Sequence, residues 1–441
     1  MHAKAARPGQ VDGLLREGAR RARRLGRPIL VSWTRRAAPR DPLDAFAAGG
    51  PDRALWLRPE SGESLVGTGA THALLPSGAT RFSEAASAWQ ALLEDALVDD
   101  PDGLPWTGPL LLGGFAFDPR FGDGRLVLPA ATLSQREGQA WLTTNVVVRP
   151  DGPTSGEAFS QSGPVCSAQP PPPEHWQALV ASVVAGIRSG ELGVEKVVLA
   201  RACHYVAEAA FDAIPALRRL VRDYPTCTVF ALGHADATFL GATPERLAHV
   251  HRGAVSTMAL AGPIARGATP AEDRALGEAL LSSRKDLAEH AIVVRAVREA
   301  LAGVCSRVVT DTQPRLHRLP NVQHLLTPIR AQLAPGRGLL DLAARLHPSP
   351  AVGGFPCERA LEVVRDYEGL DRGWYGGPLG WVNAAAEGEF VVGIRSALLR
   401  GREAWLYAGC GIVADSDAAA ELAESEWKLQ PMLAALNGAD A

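Results

Sequence analysis

In the stretch FLGATPERL a glutamate, Glu245, stands directly behind Thr243 and Pro244 at the end of an apolar run. Proline fixes its own φ and biases the residue before it towards an extended conformation, so the position of this carboxylate is well determined. Two roles are open to it: the start of a helix or turn, where Pro-Glu serves the dipole, or a general acid held in place. Lys196 opens the apolar run KVVLAR, where a lysine either reaches back to solvent or sits partly desolvated as an amine able to take a proton. Glu289, in RKDLAEHAIVV, precedes His290 and an apolar run, at the edge of a buried helical face. ELAESEWKL puts Glu421 and Glu424 on one helical face, with Lys428 one turn further on. Such carboxylates either pair with lysine in solvent or, brought together from two helices, meet at a hard cation. Arg395 stands inside VVGIRSALL, read as one apolar strand, where an unpaired guanidinium is costly and a carboxylate is expected beside it. In GCGIV, Gly409 and Gly411 leave bare backbone for a close approach, without the further glycines of a nucleotide loop.

The elements that must position these groups follow from periodicity. Before residue 150, PILVSW, RALWLR, LLLGGFAF and WLTTNVVV read as strands, with helical patterns near 10–25 and 82–97. Residues 151–172 are rich in Pro, Gly and Ser and suit a linker or surface loop between an N-terminal part (1–150) and a catalytic region (173–437). HWQALVASVVAGIRSGEL has helical spacing, EKVVLARACHYV alternates as a strand, and TVFALG and TFLGATPERLAHVH supply two more strands. EDRALGEALLSSRKDLAEHAIVVRAVREALAGV reads as one long amphipathic helix. LLDLAARLH, ERALEVVRDYEGL and the segment around AAAELAESEWKLQPMLAAL are further helices, and GPLGWVNAA, GEFVVGIRSALLR and EAWLYAGCGIV are three successive strands. Consecutive strands with short turns favour antiparallel pairing, so the expected fold is α+β, with large antiparallel sheets wrapped by helices around a central cleft.

Bulk numbers set the class. The 441 residues are 46% hydrophobic, enough for a substantial core, and the net charge of -3 gives no reason to seek nucleic acid or an anionic membrane. Six scattered cysteines show no metal or redox spacing and read as reduced thiols, mostly core filler. No signal peptide or membrane span is supported, so a cytoplasmic protein with a small-molecule partner is expected. The Arg-rich segment at 16–24 reads as a solvated helix face.

The ordered motifs KVVLAR, GATPERL, LAGPIARG, EHAIVV, LPNVQHL, LHPSPAVGGFP, RGWYGGPLGW, FVVGIRSA, YAGCGIVADSD and AESEWKL, spread over roughly residues 172–436, resemble the chorismate-utilising enzymes. The N-terminal PILVSW and LLLGGFAFDP look like the menaquinone-type isochorismate synthases among them. The resemblance implies one large assembly of antiparallel sheets and helices with the substrate in a cleft. It also implies that Lys196 marks water as nucleophile, because the ammonia-using anthranilate-type enzymes have glutamine there. The covalent lysine of aminodeoxychorismate synthases has no counterpart in the run Leu260, Ala261, Gly262, Pro263. Salicylate synthases tend to have threonine where this chain has Ala351, so Ala351 and Val352 resemble enzymes that stop at hydration.

By the same resemblance, Lys196 is the base and Glu245 the acid of a reversible conversion of chorismate to isochorismate. Glu289 and Glu424, with Glu421 less firmly, hold Mg²⁺. Arg395 and Tyr375 bind the enolpyruvyl carboxylate, and Gly262, Gly409 and Gly411 offer backbone contacts. Lys428 completes the carboxylate environment, and His324 lines the cleft. Pro263 departs from the usual Thr or Ser and removes a hydroxyl and a backbone donor. The expected product serves menaquinone biosynthesis; salicylate synthase and a siderophore-pathway isochorismate synthase are the alternatives. A monomer without an amidotransferase subunit is expected, since water replaces ammonia.

Overall fold

The computed structural model describes residues 8–120, 122–153, 172–320 and 322–437. Most of the proposed linker therefore lies outside the described residues; within them, Gly152–Pro153 adds a short strand and a helix begins at Pro173.

Strand Gly124–Arg136 is the branch point of the sheet structure. Along one edge it pairs with Glu63–Leu74, and the order continues through Arg53–Arg58, Thr228–His234, Ala237–Thr243, Ser396–Arg400, Glu403–Ile412 and Lys196–Val206. Along the other edge it pairs with Leu110–Phe115, followed by Pro378–Asn383, Gly388–Val392, Arg246–His251, Ala254–Ala265 and Val322–Leu333. Every one of these ladders is antiparallel, as the short connections require. The one parallel pairing among the described residues joins Ile29–Ala37 to Leu97–Asp99, at the rim.

Alternation along the strands explains how the two sheets stack. In the first sheet Val229, Ala231, Leu240, Leu399 and Leu406 face outward onto Leu217 and Leu220 of helix Ala213–Asp223 and Leu429 and Met432 of helix Ala418–Asn437. Their neighbours Phe230, Phe239, Leu398 and Trp405 point the other way, onto Leu379 and Val391 of the second sheet. A period of two puts alternate side chains on opposite faces, and each large one buried contributes roughly 1.5–3 kcal/mol.

Three readings of the sequence are corrected here. TFLGATPERLAHVH is two strands, Ala237–Thr243 in the first sheet and Arg246–His251 in the second, because Pro244 has no N–H for a ladder. GEFVVGIRSALLR likewise breaks into Gly388–Val392 and Ser396–Arg400, so Arg395 lies on a crossing between sheets rather than inside a strand. The two crossings are hydrogen-bonded together: Val392 N–H donates to Glu245 O at 3.0 Å, and Ala242 N–H to Arg395 O at 3.2 Å. Gly241 makes this approach possible, since a Cβ there would stand 2.6 Å from Arg395 O.

The third correction concerns the long helix, which is two: Pro270–Ser282 and Arg284–Ala302. Ser283 breaks it with an extended ψ of 114° and caps the second helix by accepting from Asp286 N–H at 3.3 Å. The five described cysteines are free thiols, and most fill the core as expected: Cys227 and Cys410 are buried in it and Cys203 and Cys305 pack against it, while Cys357 is half-buried and Cys166 lies outside the described residues. No helix among the described residues is long and apolar enough to cross a membrane. Replacing Ser283 by Ala removes the cap that starts the Glu289 helix; urea denaturation should show a loss of about 1 kcal/mol.

Candidate active site

The residues picked out from the sequence come together. Lys196, Glu245, Gly262, Glu289, His324, Ala351, Tyr375, Arg395, Gly409, Gly411, Glu421, Glu424 and Lys428 all line one cleft of about 1110 Å³, counting its open mouth. They arrive from the first sheet, the second sheet, the two crossings, two helices and the turns that carry Ala351 and Tyr375.

Lys196 does not reach back to solvent. It is 2% exposed, and its Nζ donates to Glu289 Oε1 at 2.8 Å. Burial alone would raise the Glu289 pKa, but the charge and hydrogen bond of Lys196 outweigh it, and the carboxyl sits below its ordinary value. Glu289 is therefore an anion at neutral pH.

Glu245 is in the opposite condition. It is 7% exposed at the head of its crossing, and its N–H donates to Thr243 Oγ1 at 3.2 Å. Burial pushes its pKa up to about 7, against the pull of Lys196, Lys428 and Arg395. Near neutral pH this carboxyl is divided between its protonated and ionised forms.

On helix Ala418–Asn437, Glu424 pairs with Lys428 at 2.5 Å, and Lys428 Nζ also donates to Gly409 O at 2.8 Å. Burial works against the lysine's charge, but Glu424 more than offsets it, and its pKa lies above the ordinary value. Glu421, 4% exposed, has a pKa raised to about 7 by burial and then by the charge of Glu424. Ligand atoms of Cys410, Glu421 and Glu424 lie within 4.8 Å of one another. Burial holds the Cys410 thiol far above its ordinary pKa, and its Sγ donates to Glu421 O at 3.2 Å, so the sulfur stays neutral. What remains is a pair of carboxylates whose mutual repulsion a hard, oxygen-seeking cation would relieve; the donor chemistry fits Mg²⁺.

The other wall is neutral or cationic. His324 is 7% exposed, its Nε2 has no hydrogen-bond partner, and burial, then Arg395 and Lys428, hold its pKa well below the ordinary value. Burial pushes the Tyr375 hydroxyl up to about 12, and its ring stacks on Tyr407 with centroids 5.2 Å apart. Arg395 has a left-handed φ of 52°, and its Nη1 reaches Lys428 O at 3.4 Å. That backbone costs about 1–3 kcal/mol and persists because both crossings hold it. Gly262 also takes a positive φ, of 65°, where the ladder register shifts between Ala261 and Pro263.

Sequence reasoning missed Lys285, Asp286 and Arg372, which also line the cleft. Lys285 and Asp286 stand one helical turn before Glu289, so helical spacing was a usable signal. Arg372 opens the motif RGWYGGPLGW three residues before Tyr375, so its place in that motif was the signal.

Comparison with known proteins places the chain in a family. The family profile described as "Chorismate binding enzyme" matches residues 17–437. A "Salicylate biosynthesis isochorismate synthase" from Pseudomonas aeruginosa is 39% identical, covering 95% of this chain and 93% of its own. "Isochorismate synthase MenF" from Bacillus subtilis is 35% identical, over 95% of this chain and 96% of its own. The solved structure of MenF, the menaquinone-specific isochorismate synthase from Escherichia coli, has a TM-score of 0.78 at 24% identity, covers 96% of this chain and 100% of its own, and shares the fold. With a family profile and relatives matched over nearly its whole length, the chain belongs to the chorismate-binding enzymes.

Proposed function

We propose that the protein is an isochorismate synthase, with Lys196 and Glu245 as base and acid. The observation that carries this reading is the buried Glu245 carboxyl, able to hold a proton at neutral pH, in the same cleft as the Lys196 amine. Conversion of chorismate requires water to add at ring C2 while the C4 hydroxyl departs. Water is a poor nucleophile and hydroxide a poor leaving group, so a base and an acid are both needed. Lys196 Nζ is the group that takes the proton of the attacking water. Both ring double bonds shift, C1=C2 to C1=C6 and C5=C6 to C4=C5, the C4–O bond breaks, and Glu245 gives its proton to the departing oxygen. The pair holds the same number of protons before and after, and the reverse reaction exchanges the two roles.

Binding of a dicarboxylate fits the remaining charges. Arg395, which has no carboxylate partner among the described residues, is placed to meet one carboxylate of the ligand, with Tyr375 lining the same cleft. Glu289 and Glu424, with Glu421, are the residues that would hold Mg²⁺, which when bound supplies positive charge for the second carboxylate. His324, neutral and with a free ring nitrogen, offers a hydrogen bond to the ring substituents.

Ala351 and Val352 present an apolar wall, which supports release of isochorismate without loss of pyruvate. The N-terminal motifs and the Bacillus MenF relative support a role in menaquinone biosynthesis. The Pseudomonas relative favours a second reading, in which the isochorismate is destined for salicylate. Incubation with chorismate and Mg²⁺ should yield isochorismate without pyruvate or fluorescent salicylate; release of both would establish a salicylate synthase instead. EDTA should abolish turnover, and added Mg²⁺ should restore it.

Lys196→Ala and Glu245→Gln should each lose at least about 100-fold in kcat while chorismate still binds, as followed by calorimetry. Because Glu245 acts in its protonated form and its pKa is raised, kcat in the chorismate-consuming direction should fall as pH rises through about 7. Gly411→Ala tests the close packing: its Cβ would lie 2.7 Å from Lys196 Cε and 2.9 Å from Glu289 Oε1. Those flexible ends can shift, so the melting temperature should change little, while kcat should drop by about 10- to 100-fold.

A further inference from the structure

Strand Lys196–Val206 is bordered along one edge by Glu403–Ile412, but on the other, among the described residues, only by the two-residue strand Gly354–Phe355. Residues 196, 198 and 200 direct their backbone groups to that second edge, because successive residues alternate. Val198 N–H still finds Gly353 O at 2.9 Å. Past that point side chains take over. The Val198 carbonyl accepts from Arg372 Nη2 at 2.7 Å, and Ala200 N–H donates to Glu368 Oε2 at 2.7 Å.

These two side chains form one rigid unit. Arg372 Nε donates to Glu368 Oε1 at 2.6 Å and Nη2 to Oε2 at 2.5 Å, with the side chains 2% and 1% exposed. The remaining nitrogen, Nη1, donates to Val352 O at 2.8 Å. The guanidinium thus ties the strand that carries Lys196 to the wall that carries Ala351 and Val352. Phe117 closes it off, its ring centroid 4.1 Å from the guanidinium carbon.

A fully buried ion pair seldom adds stability over an apolar pair of the same size, since desolvation offsets most of the attraction. What it supplies is direction: the planar fork allows little freedom to either partner. We propose that Glu368 and Arg372 are a positioning pair that sets where Lys196 Nζ stands relative to the Ala351–Val352 wall. The pair thereby controls the rate of proton transfer and leaves substrate affinity nearly untouched. This rests on the assignment of Lys196 as the base.

Glu368→Gln and Arg372→Lys, each shown to be folded by circular dichroism and thermal melting, are compared with the wild type by steady-state kinetics on chorismate. Expected is a fall in kcat of about 10- to 100-fold with KM changed by less than about 3-fold. In a Lys196→Ala background, adding Glu368→Gln should cost less than about 2-fold further, because the group being positioned is gone. Folded Glu368→Gln enzyme within about 2-fold of wild-type kcat, a loss carried by KM, or additive losses in the double variant would each overturn the proposal. Should Arg372→Lys not fold, Glu368→Gln carries the comparison, since its amide keeps an oxygen opposite Ala200 N–H. A wild-type rate in Lys196→Ala alone would sink the base assignment and the positioning role with it; a slow Lys196→Ala beside a fast Glu368→Gln would sink only the latter.

Discussion

Charge held away from water at fixed positions is the constraint that the rest of this molecule serves. At an effective dielectric near 20, two unit charges 4 Å apart interact by about 4 kcal/mol, so a misplaced neighbour changes the protonation state of a buried group. The cleft meets this with two tight pairs, Lys196 with Glu289 and Lys428 with Glu424. Neither pair involves Glu245 or Glu421, which rise to about 7. Arg395, left without a carboxylate partner among the described residues, completes a site biased towards an anionic ligand.

Such placement needs backbone that cannot drift. The groups proposed for chemistry sit at the start of a strand, on crossings between sheets, and on two helices whose apolar faces pack on those sheets. The crossings matter most. Each is short, each carries one functional side chain, and each hydrogen-bonds to the other, so Glu245 and Arg395 are held in relation through main chain alone. The left-handed backbone at Arg395 is the strained part of this arrangement, and the surrounding ladders offset it.

Much of the site was legible because its signals are local. Thr-Pro ahead of Glu245 announces a fixed carboxylate; the spacing of Glu421, Glu424 and Lys428 announces one helical face. Strand periods were also visible, though two runs were joined that the fold divides. Apolar residues continue through Pro244 and through Gly393 to Arg395, and a hydrophobic pattern does not record a change of sheet. The break at Ser283 was hidden for a similar reason, since the helical period continues on both sides of the cap.

The sequence by itself determined the α+β class, the antiparallel pairing, the family and the identity of the residues that gather in the cleft, because each depends on residue type and short-range spacing. Tertiary structure alone decided their electrical state and their partners. Whether Lys196 meets Glu289 or solvent, how far Glu245 is desolvated, and how Arg372 and Glu368 close the edge of a strand are contacts between segments far apart in the chain. Pairing and desolvation are properties of a place in the folded molecule, and that place exists only once the two sheets have closed on each other.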